Sequence, residues 1–195
     1  AYVDHPSFGH AIISRVLESR GYRVAILPQP DWHSADEIKA FPRPRLGVLV
    51  SAGNIDSMVN HYTVTKKKRH DDAYSPENKA GKRPDRATIV YCNRVREAFG
   101  DIPILIGGVE ASLRRFAHYD YWSDKVRRSI LFDSRADILM YGMGERSITE
   151  IADMLNMGVD IKEITTVPGT CFILPHADGY KEIPSYEDCV ADKKA

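Results

Sequence analysis

Apolar residues at the start of the chain recur at helical spacing. Within residues 12–17 they stand three and four positions apart, which places them on one face of an amphipathic helix. Gly21 follows at the position where a helix commonly ends in the left-handed conformation. This pattern predicts a helix over residues 9–20.

Short apolar runs, bounded by glycine or proline, follow this helix and predict strands. Because they lack a polar alternation, they are typical of strands buried on both faces of a parallel sheet. We expect strands over residues 22–27 and 45–51. Segments 102–108 and 136–145 each run from a further apolar strand into glycines.

Helical patterns separate the predicted strands. Residues 31–41 form a short helix candidate with Ser34 as its N-cap, and Asp85 is placed to cap the helix that follows it. Another helix has its apolar face at Ile148 and at later positions of helical spacing. Since helices alternate with buried strands, we predict an α/β fold, a doubly wound, mostly parallel sheet of the flavodoxin-like kind. Its first strand would precede Asp4, and we expect it to be truncated.

Two segments interrupt this alternation. Residues 58–85 are polar, rich in turn residues and long for a connection in an α/β fold, so they form an insertion that is either a functional loop or a mobile one. After Gly158 the pattern changes to short strands and a charged tail, which fits a terminal hairpin or an exit toward another domain. We therefore expect an α/β domain over residues 1–160, and terminal strands with a linker over residues 161–195.

Composition narrows the functional classes. The chain has 195 residues, 43% of them hydrophobic, which is enough for one substantial core. Its 27 basic and 27 acidic residues cancel, so no overall field recruits nucleic acid or anionic membrane. The sequence contains neither an apolar run long enough to span a bilayer nor a signal-peptide pattern, so we expect a cytoplasmic protein with no membrane partner.

Candidate ligand-binding residues lie in the loops that follow the predicted strands, because ligands of open parallel sheets bind beyond the carboxyl ends of the strands. Glycines there allow close approach of a ligand to the backbone, and helix amino termini offer free N–H groups to anions. The alternative is that these glycines only form turns. The candidates are Asp4, His5, Gly53, Asn54, Gly107, Gly108, Glu110, Gly142, Gly144 and Glu145.

Asp4 and His5 are adjacent and precede a proline. On an extended stretch their side chains point to opposite sides, which argues against a shared metal ion or a catalytic dyad. We interpret them as turn and crevice residues. Cysteine clusters, the Walker lysine loop and a Ser-His-Asp order are all missing from the sequence, so we predict no metal site and no catalytic residue in this chain.

Two segments could contact partners. The run Lys66–Arg69, with Tyr62 and Tyr74 to stack on bases, could contact RNA, although acidic residues in the same segment favour a solvated loop. Segment 113–135 brackets aromatic residues with arginines, the residue types enriched at interfaces, and the alternative is packing on its own domain. Its candidate interface residues are Arg114, Arg115, Phe116, Tyr119, Tyr121, Trp122, Arg127 and Arg128.

Three stretches of the chain are distinctive together: "AYVDHPSFGHAIISRVLESRGYRVAILPQPDW", "SAGNIDSMVNHYTVTKKKR" and the stretch from "KAGKRPDRATIVYCNRVREAFG" to "ILMYGMGE". Through them, nearly the whole chain resembles the amino-terminal domain of YgiQ-type radical SAM proteins. Unusual strings such as "RRFAHYDYWSDKVRRS" make it specific.

This resemblance implies that a radical SAM barrel belongs to the same polypeptide. The barrel's Cys-x3-Cys-x2-Cys motif holds a [4Fe-4S] cluster, which cleaves S-adenosylmethionine to a 5'-deoxyadenosyl radical. Cys92, Cys171 and Cys189 fail that spacing, so we expect this chain alone to hold neither cofactor and to be inactive. The resemblance therefore implies an accessory domain that forms an interdomain interface and a wall of the substrate cavity.

The chain is also similar to the cobalamin-binding modules that precede many radical SAM barrels, especially in "GGVEAS" and "YGMGE". Those modules supply a cobalt ligand from Asp-x-His-x-x-Gly, whereas here the histidine directly follows Asp4. This difference argues against a histidine ligand to cobalt. A module that binds cobalamin without such a ligand, or another nucleotide-like ligand, is one alternative function, and an RNA-contacting domain is a second.

Overall fold

The computed structural model describes residues 8–176 and 178–192. The candidate residues Asp4 and His5, and the expected strand before them, lie outside the described residues. The helices are α1 Phe8–Ser19, α2 Asp36–Lys39, α3 Ser57–His61, α4 Ala87–Phe99, α5 Gly108–Leu113, α6 Ile130–Ser134, α7 Glu145–Asn156 and α8 Tyr186–Ala191. The strands are β1 Val48–Val50, β2 Ile104–Ile106, β3 His118–Asp120, β4 Lys125–Arg127, β5 Ile138–Met140 and β6 Thr170–Cys171.

A four-stranded sheet in the order β1-β2-β5-β6 organises the described chain. Strands β1, β2 and β5 are parallel, and β6 pairs with β5 in the antiparallel direction. The α/β class and the mostly parallel sheet are therefore confirmed. Strands β3 and β4 form a separate antiparallel hairpin.

Two apolar clusters lie on opposite faces of this sheet. Ile104 and Ile106 of β2 belong to a cluster with α4 and α6, whereas Leu105 between them belongs to a cluster with α1 and α7. Successive side chains of a strand point to opposite faces, so the uninterrupted apolar sequence of β2 results from helices that cover both of its sides. All three of these residues are buried.

The strand predicted over residues 22–27 is wrong. These residues form no β-ladder with the described chain, and Ile26 is exposed. Tyr22 and Val24 pack against the cluster of α1 and α7, while Arg23 between them is exposed. Leu27 packs against the cluster of α4 and α6, so the apolar content of the segment reflects partial packing of an extended chain and not a buried central strand.

Of the two alternatives for the segment after Gly158, the terminal hairpin is not observed. Residues 163–167 form no strand, although Ile164 and Val167 are buried in the cluster of α1 and α7. Only Thr170–Cys171 forms a strand there, and it pairs with β5. The burial of two apolar side chains explains the strand-like pattern without a strand partner.

Two predicted helix caps differ from the structure. Asp85 does not cap α4, because its carboxylate accepts hydrogen bonds from His61 and Tyr62. The N-cap position of α2 is occupied by Ala35, so Ser34 lies one residue too early to be the cap. The Oγ of Ser34 still accepts a hydrogen bond from the backbone N–H of Asp36 at 3.3 Å. Among the described residues, none of the helices combines the length and apolar character needed to cross a membrane.

Candidate functional site

The loops after β1, β2 and β5 form the candidate site, at the carboxyl end of the parallel strands. The backbone N–H of Gly107 donates to the carbonyl of Val50 at 3.1 Å, which joins the first two loops. A Cβ atom on Gly108 would lie 3.4 Å from Ser51 Cβ and 3.7 Å from the Gly53 carbonyl oxygen, and Gly108 has φ +82°. The structure thus brings Gly53, Gly107 and Gly108 together as expected for strand-end residues.

Glu110 lies under this surface and not on it. Its side chain is buried, and its two carboxylate oxygens accept hydrogen bonds from the backbone N–H groups of Ser57 at 2.8 Å and of Thr88 at 2.9 Å. These groups belong to the first turns of α3 and α4, where backbone donors are otherwise unpaired and the helix dipole favours negative charge. Glu110 therefore stabilises two helix starts beside its own helix.

Asp56 and Arg114 form a second buried connection at the same end. Asp56 caps α3 by accepting hydrogen bonds from the backbone N–H groups of Met58 at 2.9 Å and Val59 at 3.1 Å. The guanidinium of Arg114 pairs with the other Asp56 oxygen and donates to the Glu110 carbonyl at 3.1 Å. Arg114 was an interface candidate, and the structure commits it to contacts within this domain.

Other candidates line the crevice with fewer contacts. Gly142 has φ +74°, with open space around its Cα, and Gly144 directly precedes α7. Asn54 and Glu145 are half-buried, and their side chains make no hydrogen bond to other described residues. They are therefore accessible to a molecule that covers this end of the sheet.

His10 also reaches this end, although the sequence patterns do not single it out. Its Nε2 lies 3.0 Å from Ser51 Oγ, the side chain that follows β1. Burial lowers the pKa of His10 to about 4, so the imidazole is neutral at physiological pH. A single histidine within a predicted helix belongs to no recognisable sequence motif. The sequence patterns therefore could not identify His10 as a site residue.

Exposed apolar side chains surround the crevice. We call the set Val109, Leu113, Phe116, Tyr141 and Met143 the apolar rim; Leu113 is 64% exposed and Met143 is 83% exposed. The guanidinium carbon of Arg115 lies 5.0 Å from the ring centre of Phe116 and 5.1 Å from that of Tyr141, so it connects the loops after β2 and β5. Arg115 pairs with no carboxylate of the described chain, and its Nη1 donates to the Ser112 carbonyl at 2.6 Å.

The rest of the arginine-aromatic segment packs on the polar insertion. The Trp122 ring lies 5.3 Å from the Tyr62 ring, and Tyr121 donates its hydroxyl to the Val64 carbonyl at 2.6 Å. Lys66 lies 4.7 Å from the centre of the Tyr121 ring. Tyr121 and Trp122 are therefore engaged by residues 62–66 of their own domain.

The remaining interface candidates lie on the β3–β4 hairpin and the turn that follows it. Tyr119 is exposed, and its hydroxyl donates to Asp124 at 2.5 Å. Arg127 and Arg128 donate to opposite oxygens of Asp133, at 2.7 and 3.3 Å. Sequence reasoning thus grouped side chains that the structure divides among a buried ion pair, the apolar rim, contacts with the polar insertion, and the hairpin.

The chain's own residues do not fit an iron–sulfur cluster. Cys92 is buried in α4, Cys171 lies in β6, and Cys189 lies in α8. Burial raises the pKa of the Cys92 thiol, which opposes the thiolate form that binds metal. Within residues 8–176 and 178–192, no three side chains of the usual metal-binding types come together.

Comparisons with known proteins agree with this architecture. A UPF0313 protein of Clostridium perfringens strain SM101 is 61% identical to the whole chain, and a UPF0313 protein of Clostridium botulinum strain ATCC 19397 is 58% identical. The chain spans 30% and 31% of the lengths of these two relatives. It is thus similar to one part of longer polypeptides.

A solved structure shows the same fold. It is the radical S-adenosylmethionine methyltransferase TsrM of Kitasatospora setae, with tryptophan substrate and a SAM analogue bound, and it superposes with a TM-score of 0.56 at 19% identity. The match covers 88% of this chain and 27% of the methyltransferase. The model of the radical SAM N-terminal family matches residues 1–195, which confirms the resemblance to YgiQ-type proteins. The chain therefore belongs to the radical SAM N-terminal domain family.

Proposed function

We propose that this chain is the accessory amino-terminal domain of a radical SAM enzyme and that its apolar rim docks against the catalytic barrel of the same polypeptide. The observation that carries the proposal is the exposure of five apolar side chains around one end of the sheet. Contiguous exposed apolar surface of this kind marks interaction sites on soluble domains. The relatives are about three times longer than this chain, so their polypeptides have room for such a partner.

Arg115 supports an interdomain contact at this position. Its guanidinium lies against two aromatic rings and has no carboxylate partner in the described chain. Arginine, tyrosine and other aromatic residues are the types that dominate binding energy at protein interfaces. A carboxylate or a backbone carbonyl on the barrel would complete the hydrogen bonding of Arg115 while the rim excludes water.

In this proposal the barrel, and not this domain, holds the [4Fe-4S] cluster and S-adenosylmethionine. When bound, these cofactors supply a carbon-centred radical to the parent enzyme. The domain contributes a wall that covers the open end of the barrel, formed by Gly53, Asn54, Gly142, Gly144 and Glu145 together with the apolar rim. Such a wall would keep water away from the substrate cavity.

We further propose that a strand from outside the described residues pairs with β1 and completes a doubly wound, flavodoxin-like sheet. Strand β1 lies at the edge of the sheet, and Leu49 on it is 40% exposed. All-parallel sheets normally have both of their faces covered.

The terminal segment is the proposed connection toward the barrel. Between β6 and α8 it leaves Ile173, Tyr180 and Ile183 exposed. These side chains have little contact with the core, so they are available for a neighbouring domain. In the proposed arrangement, both this segment and the apolar rim contact the barrel.

Met143→Asp in the full-length parent enzyme tests the proposal, with Met157→Asp as its matched control. Both methionines are highly exposed, at 83% and 74%, but Met157 lies at the carboxyl end of α7, away from the rim. After anaerobic reconstitution, Met143→Asp should lower the formation of 5'-deoxyadenosine and raise hydrogen exchange in residues 108–116. Met157→Asp should change neither, and equal behaviour of the two variants would contradict docking through the rim.

A further inference from the structure

A second cavity lies away from the crevice, between the polar insertion and the start of α4. Its volume is about 300 Å³, and its wall includes Trp32, His61, Lys68, Arg69, Asp71 and Asp85. This volume is at the lower end of the range for small-molecule sites, so the cavity accommodates a small ligand. We call it the His61 cavity.

His61 is the most distinctive group in this wall. Its side chain is only 5% exposed, and its Nδ1 lies 2.8 Å from Asp85 Oδ1. Tyr62 donates its hydroxyl to the second Asp85 oxygen at 2.6 Å. The opposite ring nitrogen, His61 Nε2, is buried and has no hydrogen-bond partner among the described residues. Buried polar atoms are rarely left in this state, so a partner from outside the described residues is expected.

Asp85 determines the tautomer of His61. Although partial burial opposes ionisation, hydrogen bonds from Tyr62 and His61 and the nearby charge of Lys68 hold the pKa of Asp85 below its usual value. The ionised carboxylate accepts a hydrogen bond from the Nδ1–H group of His61. In the neutral imidazole, Nε2 then carries the lone pair and accepts a hydrogen bond; in the imidazolium it donates one.

Two basic side chains of the wall are not committed to an ion pair. Asp72 is neutralised by Arg83, and Asp85 is occupied by His61 and Tyr62. Lys68 and Arg69 make no side-chain hydrogen bond or ion pair with the described residues, and the opposing charges of the wall are those of Asp71 and Asp85. These two cations are therefore available to an anionic group of a ligand at the rim of this cavity.

We propose that the His61 cavity binds a small molecule through a phosphate group. A hydrogen phosphate donates its O–H to the lone pair of Nε2, while Lys68 and Arg69 balance its charge. A carboxylate ligand fits less well, because at neutral pH it has no proton to donate to Nε2. A metal ion fits less well because the described residues offer no third ligand.

Calorimetric titration of the full-length parent protein with inorganic phosphate tests this inference, with sulfate as the chemical control. Sulfate has the same shape but no O–H group at neutral pH. We expect phosphate to bind at least about tenfold more tightly than sulfate, since only phosphate has an O–H group to donate to the lone pair of His61 Nε2. Titrations with ribose 5-phosphate and glycerol 1-phosphate distinguish a nucleotide from a lipid headgroup as the source, and tighter binding of either one supports the site.

Paired variants connect the binding to the cavity. Lys68→Ala should weaken phosphate binding about tenfold, whereas Lys67→Ala, at an exposed neighbour outside the wall, should not change it. His61→Gln should abolish the preference for phosphate over sulfate, and exposed His70→Gln should preserve it. Absence of phosphate binding, equal binding of both anions, or equal effects of the paired variants would overturn the inference. Docking of the apolar rim is a separate property, so either proposal can fail alone.

Discussion

Arg83 and Asp72 form a bidentate ion pair that is removed from solvent. Arg83 Nε lies 3.1 Å from Asp72 Oδ2, and Nη2 lies 3.1 Å from Oδ1, with side-chain exposures of 0% and 1%. Arg83 Nη1 also donates to the carbonyl of Ala52, two residues after the end of β1, at 3.1 Å. The ion pair therefore attaches the polar insertion of residues 58–85 to the end of the sheet where the candidate site lies.

Arg83→Ala should destabilise the domain by about 3–5 kcal/mol, because it leaves the Asp72 carboxylate buried without its partner. Lys82→Ala, at the exposed preceding residue, should change the free energy of unfolding by less than about 0.5 kcal/mol. Chemical denaturation followed by tryptophan fluorescence measures both values. Trypsin should also cleave the Arg83→Ala variant faster within residues 66–69, and unchanged cleavage would contradict the anchoring role.

The regular elements could be predicted because their signal is local. The helix expected over residues 9–20 is observed at Phe8–Ser19, and the four-residue repeat of its apolar side chains determines which face packs. The strands around residues 48, 104 and 138 were also predicted, since uninterrupted apolar runs indicate burial on both faces. Segment 22–27 has a similar composition but no ladder partner among the described residues. Whether a segment finds a strand partner depends on the arrangement of the whole sheet, which the composition of the segment does not reveal.

The candidate site was only partly predictable. The rule that ligands bind beyond the strand ends located the loops that contain Gly53 and Gly108. It could not show that Glu110, two residues after Gly108, turns inward to two backbone N–H groups. Nor could it find the pair of His61 and Asp85, which are 24 residues apart and belong to a segment without periodicity. Such contacts depend on tertiary packing, which spacing along the chain does not encode.

Glu110→Gln should destabilise the domain by about 2 kcal/mol, because one of its two acceptor oxygens becomes an N–H₂ group that faces a backbone N–H. Glu145→Gln provides the matched control. Glu145 lies in the crevice, and its carboxylate makes no hydrogen bond to the described residues, so a change below about 0.5 kcal/mol is expected. Thermal unfolding of both variants measures the difference, and equal destabilisation would show that the buried hydrogen bonds of Glu110 contribute nothing specific.

Gly47→Ala should disrupt the start of β1. A Cβ atom on Gly47 would lie 2.7 Å from the Pro103 carbonyl oxygen, the same atom that accepts the hydrogen bond of Val48 N–H at 2.9 Å. The pairing of β1 with β2 must therefore separate to admit the methyl group. Gly142→Ala has open space around it, and only its φ of +74° opposes the change, at about 1 kcal/mol.

The yield of folded protein and the midpoint of urea denaturation report this difference. Gly47→Ala should lower both much more than Gly142→Ala does. Equal stability of the two variants would show that the close contact between Gly47 and Pro103 does not restrict position 47 to glycine.

His10 should make the domain less stable as the pH falls from about 6.5 to about 4. Burial lowers its pKa from 6.5 to about 4 in the folded state, so between these values the unfolded chain binds a proton that the folded chain does not. Above pH 6.5 the imidazole is neutral in both states, and the full stability is retained. Protonation also places a charge beside Ser51, whose Oγ lies 3.0 Å from Nε2 at the end of β1.

The slope of stability against pH isolates this contribution. His10→Gln keeps a polar side chain that can bond to Ser51 but removes the titrating group, so its stability should fall less between pH 6.5 and 4 than that of the unsubstituted protein. Unfolding midpoints measured at half-unit steps of pH provide the two slopes, with values at pH 7.5 as the reference for any constant offset between the proteins. Parallel curves over the whole range would mean that His10 is protonated equally in the folded and unfolded states. The burial of its imidazole at the strand-end crevice would then make no contribution to the pH dependence of stability.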